Sequence, residues 1–256
     1  MTSYLRFKEF HHQTNPLLIG NVWNVQSAKV FEKLNFQAIG TSSAAIAHSL
    51  GYEDGQQLPF SELLYIVERI KKASKIPLTV DIENGYGKTA NEVVANIQQL
   101  YNLGVVGINI EDSIAENGER KILDSNEFSI QLKSIIEKLD ECKSRLFINV
   151  RCDVFLLNLY NATEQAIERI KLYEHSGADG IFLPCITNTN DIKIVVSQTN
   201  LPINVMCMPN LPNFETLSNI GVKRISMGNF INVDVYQTME NTVSTILQEQ
   251  SFSTLF

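Results

Sequence analysis

Cysteine is scarce in this chain of 256 residues: Cys142, Cys152, Cys185 and Cys207 are the full set, and no two form a CxxC pair. That spacing excludes a disulfide scaffold and a thiolate zinc site, and it reads as reduced thiols in or near a core. No run approaches the roughly 18 apolar residues of a membrane span, and the opening MTSYLRFKEFHHQ mixes charges with aromatics instead of carrying a signal-peptide core. A soluble, cytoplasmic protein without a membrane partner is expected. Basic residues are also in the minority, with 21 Lys and Arg against 28 Asp and Glu, a net charge of −7. They are scattered along the chain, so no electrostatic footprint for nucleic acid is present. An acidic protein can still hold a small anion where a metal ion and a few arginines reverse the sign locally.

Hydrophobic residues make up 44% of the chain, enough for one large core, and the length is close to the roughly 250 residues of a (β/α)8 barrel. Strand-length apolar runs at 17–20, 38–41, 77–81, 107–111, 146–151, 180–183, 203–206 and 224–227 alternate with helix-period segments. Those segments fall at 26–33, 61–72, 91–103, 126–139, 163–176, 191–198, 213–219 and 234–250. Eight βα units predict a parallel sheet covered by helices. Thr163 with Glu164 marks a helix start, and the phrases LGVVGINI, SGADGIFL and IGVKRISM each put Gly between a helix and a strand. A doubly wound open sheet is the competing fold, but neither GxGxxG nor GxxxxGK[ST] follows the first strand. The expected fold is therefore a single-domain (β/α)8 TIM barrel over residues 1–256, since no linker, charge block or low-complexity segment divides the chain.

Functional residues of such barrels project from the carboxyl ends of the strands. In PLTVDIENGYG (77–87), strand alternation turns Leu78, Val80 and Ile82 one way and Asp81 and Glu83 the other; in GINIEDS (107–113), Asn109 and Glu111 share a face. An all-oxygen cluster of Asp81, Glu83 and Glu111 suits Mg²⁺, with Mn²⁺ as a substitute, and the absence of His and Cys argues against zinc. Ordinary solvated acids are the bland alternative. Gly85 and Gly87 permit a tight turn close to a ligand. Arg151 ends the strand LFINVR, where its guanidinium could fork onto an anionic substrate or pair with Asp153 or Glu111. Ser42 and Ser43 in IGTSSAA offer hydroxyls and backbone N–H groups to an anion. Asp54, beside Gly55, reads by itself as a turn former, and His48 and His175 read as surface or packing residues. No Ser/His/Asp order and no HExxH helix is found.

The phrases GTSSAAIAHSLGYEDG, DIENGYG, GINIEDS and NVRCD, in this order from about residue 17 to 228, resemble the isocitrate lyase/phosphoenolpyruvate mutase superfamily. The resemblance implies a (β/α)8 barrel whose last helix (234–250) is exchanged between subunits of a homodimer or homotetramer. It also implies Mg²⁺ with a small anionic 2-oxo-acid-like substrate and chemistry through an enolate. Position by position, Asp81, Glu83 and Glu111 would hold the metal directly or through waters, with Asp81 also contacting substrate; Ser42 and the Ser43 backbone would bind the substrate carboxylate, Arg151 would clamp the reacting end, and Asp54 would face a transferred phosphoryl group. The lyase branch carries K-[KR]-C-G-H after the ED strand, whereas this chain reads SIAENGERKIL, with Asn117, Arg120 and Lys121 available there; Pro184 replaces a mutase His. The expected activity is a carbon–carbon lyase, with a phosphonomutase or phosphonopyruvate-type hydrolase as alternative and a non-catalytic binder of Mg²⁺ and an oxo acid as a third reading.

Overall fold

The computed structural model describes residues 2–55, 57–116 and 118–256. In chain order the strands are β1 (Leu17–Val22), β2 (Ala38–Thr41), β3 (Leu78–Asp81), β4 (Gly107–Glu111), β5 (Ser113–Glu116), β6 (Glu119–Ile122), β7 (Phe147–Arg151), β8 (Gly180–Leu183), β9 (Ile203–Met206) and β10 (Arg224–Ser226). All but β5 and β6 pair in parallel and close into an eight-stranded barrel, β1-β2-β3-β4-β7-β8-β9-β10; β5 and β6 form a separate antiparallel hairpin. The helices are α1 (Ser3–Glu9), α2 (Val25–Lys33), α3 (Ser43–Ser49), α4 (Phe60–Ala73), α5 (Ala90–Asn102), α6 (Ser125–Glu141), α7 (Ala162–His175), α8 (Thr189–Val196), α9 (Phe214–Ile220) and α10 (Phe230–Glu249). Every expected strand is present, and the open sheet is excluded. Among the described residues no helix is long and apolar enough to cross a membrane.

Strand parity divides the core in two. Outward-facing Ile39, Leu78, Val80, Ile108, Ile148, Val150, Ile181 and Val205 are fully buried against the apolar faces of the surrounding helices. Inside, the floor is apolar: Phe7, Leu17, Ile19, Ala38, Val106 and Phe147 form a second cluster. Above it the lumen is polar, where most barrels of this type pack layers of branched aliphatic side chains. Asn149 donates to Asn109 at 2.9 Å and to Asn204 at 3.1 Å, Asn204 donates to Ser226 at 3.1 Å, and the fully buried Arg224 donates to Asn109 at 3.3 Å.

Gly104, Gly177 and Gly221 each take positive φ just after a helix, as their phrases predict. Other expectations are corrected. Thr163 is not the cap of α7, which starts at Ala162 behind Asn161 in the left-handed region. Cys142 and Cys207 are exposed, leaving Cys152 alone fully buried. Helices α1 and α3 and the β5–β6 hairpin are additions. The sequence of α1, SYLRFKE, buries only Phe7 and so has too little apolar periodicity to read as a helix.

A buried anion fastens that first helix beneath the barrel. Asp179 accepts from Tyr4 Oη at 2.7 Å, Lys8 Nζ at 2.8 Å, Arg145 Nη2 at 2.9 Å and the Ile148 N–H at 3.0 Å. Removing one member of such a network strands the others, at about 3–5 kcal/mol. Asp179→Ala is expected to lower stability by that amount in urea denaturation, whereas a change under 1 kcal/mol would show that α1 is held by Phe7 alone.

Candidate active site

At the carboxyl end of the barrel a cavity of about 440 Å³ is lined by Ser42, Ser43, Asp54, Asp81, Asn109, Arg120, Arg151 and Pro184, among others. Asp81 is the last residue of β3. Its N–H donates to Thr41 Oγ1 at 2.9 Å, and its carboxylate accepts from Ser43 Oγ at 3.2 Å and from the Glu83 N–H at 3.2 Å. Ser43 therefore touches Asp81 directly, while Ser42 caps α3 by accepting from the Ala45 N–H.

Glu83 does not continue the strand. Its φ of 50° lies in the left-handed region, so the alternation invoked to place it beside Asp81 ends one residue too early. Its carboxylate is buried, takes a 3.2 Å bond from Tyr86 Oη, and leaves Oε2 without a partner. Glu83 and Glu111 line a neighbouring cavity of about 580 Å³ behind the hairpin, on which Asp81 does not border. Gly85 and Gly87 let the turn pack closely on α5: a Cβ at Gly85 would meet Val93 at 2.8 Å and one at Gly87 would meet Glu92 at 2.7 Å.

Crowding of these acids is visible in their protonation. Burial pushes Glu83 up to about 8, and the charges of Asp81, Glu111 and Asp54 push the same way. Burial likewise raises Glu111 to about 7 against the lowering influence of Arg151, and raises Asp81 despite the same arginine. Arg151 carries out both pairings that its position allowed. It grips Asp153 with Nε at 2.6 Å and Nη2 at 3.1 Å, and its Nη1 lies 3.0 Å from Glu111 Oε2 as an ion pair without hydrogen-bond alignment.

Three residues stand out that sequence reasoning had left aside or named only in passing. Arg120 reaches in from β6, bonding Glu111 Oε1 and Ser113 Oγ and lying 3.4 Å from Asp153 Oδ2 and 3.6 Å from Asp54 Oδ2. Asp153 is fully buried and also accepts from Ser113 Oγ at 2.6 Å. Asp112, equally buried, accepts from the Asp153 N–H at 2.9 Å, Arg169 at 3.0 Å and Tyr173 Oη at 2.7 Å, bracing the loop after β7. The acidic second letters of the phrases ED and CD were the available signal. Asp54 is exposed yet borders the cavity, His48 and His175 are exposed and remote, and Asn117 lies outside the described residues.

The fit to a divalent cation is one of chemistry more than of ready geometry. Among the described residues no three acids, imidazoles or thiolates converge closely enough to cage an ion. The donors are nonetheless all oxygen, they repel one another, and Glu83 Oε2 lacks any partner. Asp81 and Glu83 could accept a cation as they stand, whereas Glu111 has both oxygens against arginines.

The sign of the pH effect follows from the raised values. A carboxyl that ionises near 4.5 when unfolded and near 8 when folded binds more protons in the native state between those limits, so its contribution to stability falls as pH rises through that window. In metal-free protein, Glu83→Gln is expected to melt increasingly above wild type as pH goes from 5 to 8; a difference independent of pH would contradict the crowding.

Known proteins share both chain and fold. The family model described as phosphoenolpyruvate phosphomutase matches residues 7–247. An uncharacterised Mycobacterium tuberculosis protein is 30% identical over 88% of this chain and 82% of its own. The 2-methylisocitrate lyase of Shewanella oneidensis is 28% identical over 78% and 68%, and an oxaloacetate decarboxylase of Bradyrhizobium sp. is 29% identical over 79% and 68%. Among solved structures, a Burkholderia cenocepacia protein assigned as a phosphonomutase superimposes with a TM-score of 0.87 at 31% identity, covering 94% of this chain and 98% of that one. Phosphonopyruvate hydrolase, solved with oxalate and Mg²⁺, superimposes at 0.85 with 19% identity over 99% and 89%, a likeness of fold. With the barrel, the rim and these matches together, the chain belongs to the phosphoenolpyruvate mutase/isocitrate lyase superfamily of enzymes.

Proposed function

We propose that the protein is a single-domain, cytoplasmic, Mg²⁺-dependent enzyme that cleaves a carbon–carbon bond in a small 2-oxo or 2-hydroxy dicarboxylate by way of an enolate. The observation that carries this reading is the meeting of Asp81, Asp54, Arg151 and the Ser42–Ser43 turn around one cavity at the functional end of the barrel. Asp81, Glu83 and Glu111 would hold Mg²⁺, directly or through water. Bound there, the ion supplies Lewis-acid stabilisation of negative charge on the substrate's oxygen. Ser42 and Ser43 would bind a substrate carboxylate, and Arg151, kept in place by Asp153, would orient the reacting end. The named relatives, a 2-methylisocitrate lyase and oxaloacetate decarboxylases, support a hydroxy- or oxo-acid substrate.

Phosphoryl or phosphono transfer is the second reading, favoured by Asp54 at the cavity edge and by a hairpin segment, SIAENGERKIL, that contains neither Cys nor His. A homodimer or homotetramer built on α10 accords with the apolar side chains which that helix leaves exposed. It buries only Asn232, while Ile231, Val235, Tyr236, Met239 and Val243 stay between 40% and 55% exposed.

Purified protein with Mg²⁺ is expected to turn over at least one of oxaloacetate, methylisocitrate and dimethylmalate. Turnover of phosphonopyruvate or phosphoenolpyruvate alone would establish the second reading, and tight oxalate binding without any turnover would establish a binding protein. Calorimetry should show Mg²⁺-dependent oxalate affinity falling by about 100-fold or more in Asp81→Ala. In Arg151→Lys the expected loss is about 10-fold, because an ammonium cannot reproduce the fork; wild-type affinity in either variant would refute the assigned role.

A further inference from the structure

Resting on the metal reading above, we infer that Arg120 is a tethered cation that competes with the divalent ion for the rim carboxylates, so that metal entry releases the β5–β6 hairpin. Both oxygens of Glu111 face arginines: Oε1 is hydrogen-bonded to Arg120 Nη1, and Oε2 lies 3.0 Å from Arg151 Nη1 without a hydrogen bond. A metal ion or its water approaching either oxygen of Glu111 meets a guanidinium charge, which opposes it until one arginine withdraws. Arg151 is poorly placed to do so, since it ends a barrel strand and is gripped at two points by Asp153, itself fully buried and fixed by Ser113 and by its own N–H to Asp112.

Arg120 is differently supported. It stands on the outer strand of a two-stranded hairpin outside the barrel ladder, whose base is anchored by the buried Ser113, and beyond that base the hairpin reaches the cavity through the Arg120 side chain. That one guanidinium spans Glu111 on one side and Asp54 on the other, 3.6 Å from Oδ2, so it does for these two acids what a divalent cation would do. Both ends of the span are mechanically joined as well. Gly55 approaches the hairpin so closely that a Cβ there would lie 2.5 Å from Ala115 Cβ, which couples the Asp54 loop to the hairpin's position. Cations of +1 and +2 cannot share these carboxylates without strong repulsion, and the guanidinium is the one on a removable arm.

Mn²⁺ alone, followed by electron paramagnetic resonance of the free ion, tests this in wild type, Arg120→Gln and Arg120→Lys. Arg120→Gln is expected to bind Mn²⁺ about 10-fold or more tightly than wild type, with Arg120→Lys close to wild type because it keeps the charge. Hydrogen exchange supplies the second readout: Mn²⁺ should speed exchange in residues 114–116 and 118–121 of wild type and leave Arg120→Gln, already fast, unchanged. Equal or weaker affinity in Arg120→Gln, or a wild-type hairpin whose exchange ignores Mn²⁺, would overturn the competition while leaving the metal site standing. If no variant binds Mn²⁺, with or without oxalate, the metal reading fails and the competition fails with it.

Discussion

Compensation of buried negative charge at the barrel mouth is the constraint around which the rest of this molecule is arranged. Glu111 and Asp153 are almost wholly removed from water, and neither is tolerable there as an isolated anion. Arg151 and Arg120 supply the opposite charge, Ser113 supplies a hydroxyl, and Asp112 with Arg169 and Tyr173 fixes the loop that carries Asp153. Glu83 sits outside this arrangement with an unpartnered oxygen and a raised pKa near 8. The rim is thus balanced on one side and short of positive charge on the other, which is the electrostatic description of a place for a cation.

The lumen beneath extends the same logic. Asn109, Asn149, Asn204 and Ser226 form a hydrogen-bonded column in place of aliphatic layers, and Arg224 stands in it fully buried with two donors unpaired. Its charge acts toward Asp81 above, while burial lowers its own pKa to about 9. A polar interior contributes little hydrophobic stabilisation, so cohesion falls to the shell between strands and helices and to the floor sealed by Phe7 and Phe147. The fold can carry charge along its axis because its stability resides in its outer layer.

Much of this was legible in the residues. Short apolar runs alternating with helix-period segments located all eight barrel strands, and Asp81, Ser42, Ser43, Asp54 and Arg151 do meet around one cavity. Glu83 was the informative exception. Alternation extrapolated from Val80 through Ile82 assumed extended backbone, and a single left-handed φ broke it. The hairpin escaped notice because ERKI and SIAE are short, charged and only partly buried, with no apolar face to give them a period. Arg120 was visible there as a cation, but nothing local indicated which way it would turn.

What the chain determined by itself is the class of fold and the identity of the acids at the strand ends, because alternation and Gly placement are local properties encoded in neighbouring residues. Only the tertiary structure decided how those acids are shared out. Asp81 faces one cavity, Glu83 and Glu111 another, and Glu111 is claimed by arginines 9 and 40 positions away in sequence. Charge pairing acts through space and is settled by which side chains the closed barrel brings within a few ångströms of one another, information that no stretch of sequence holds alone.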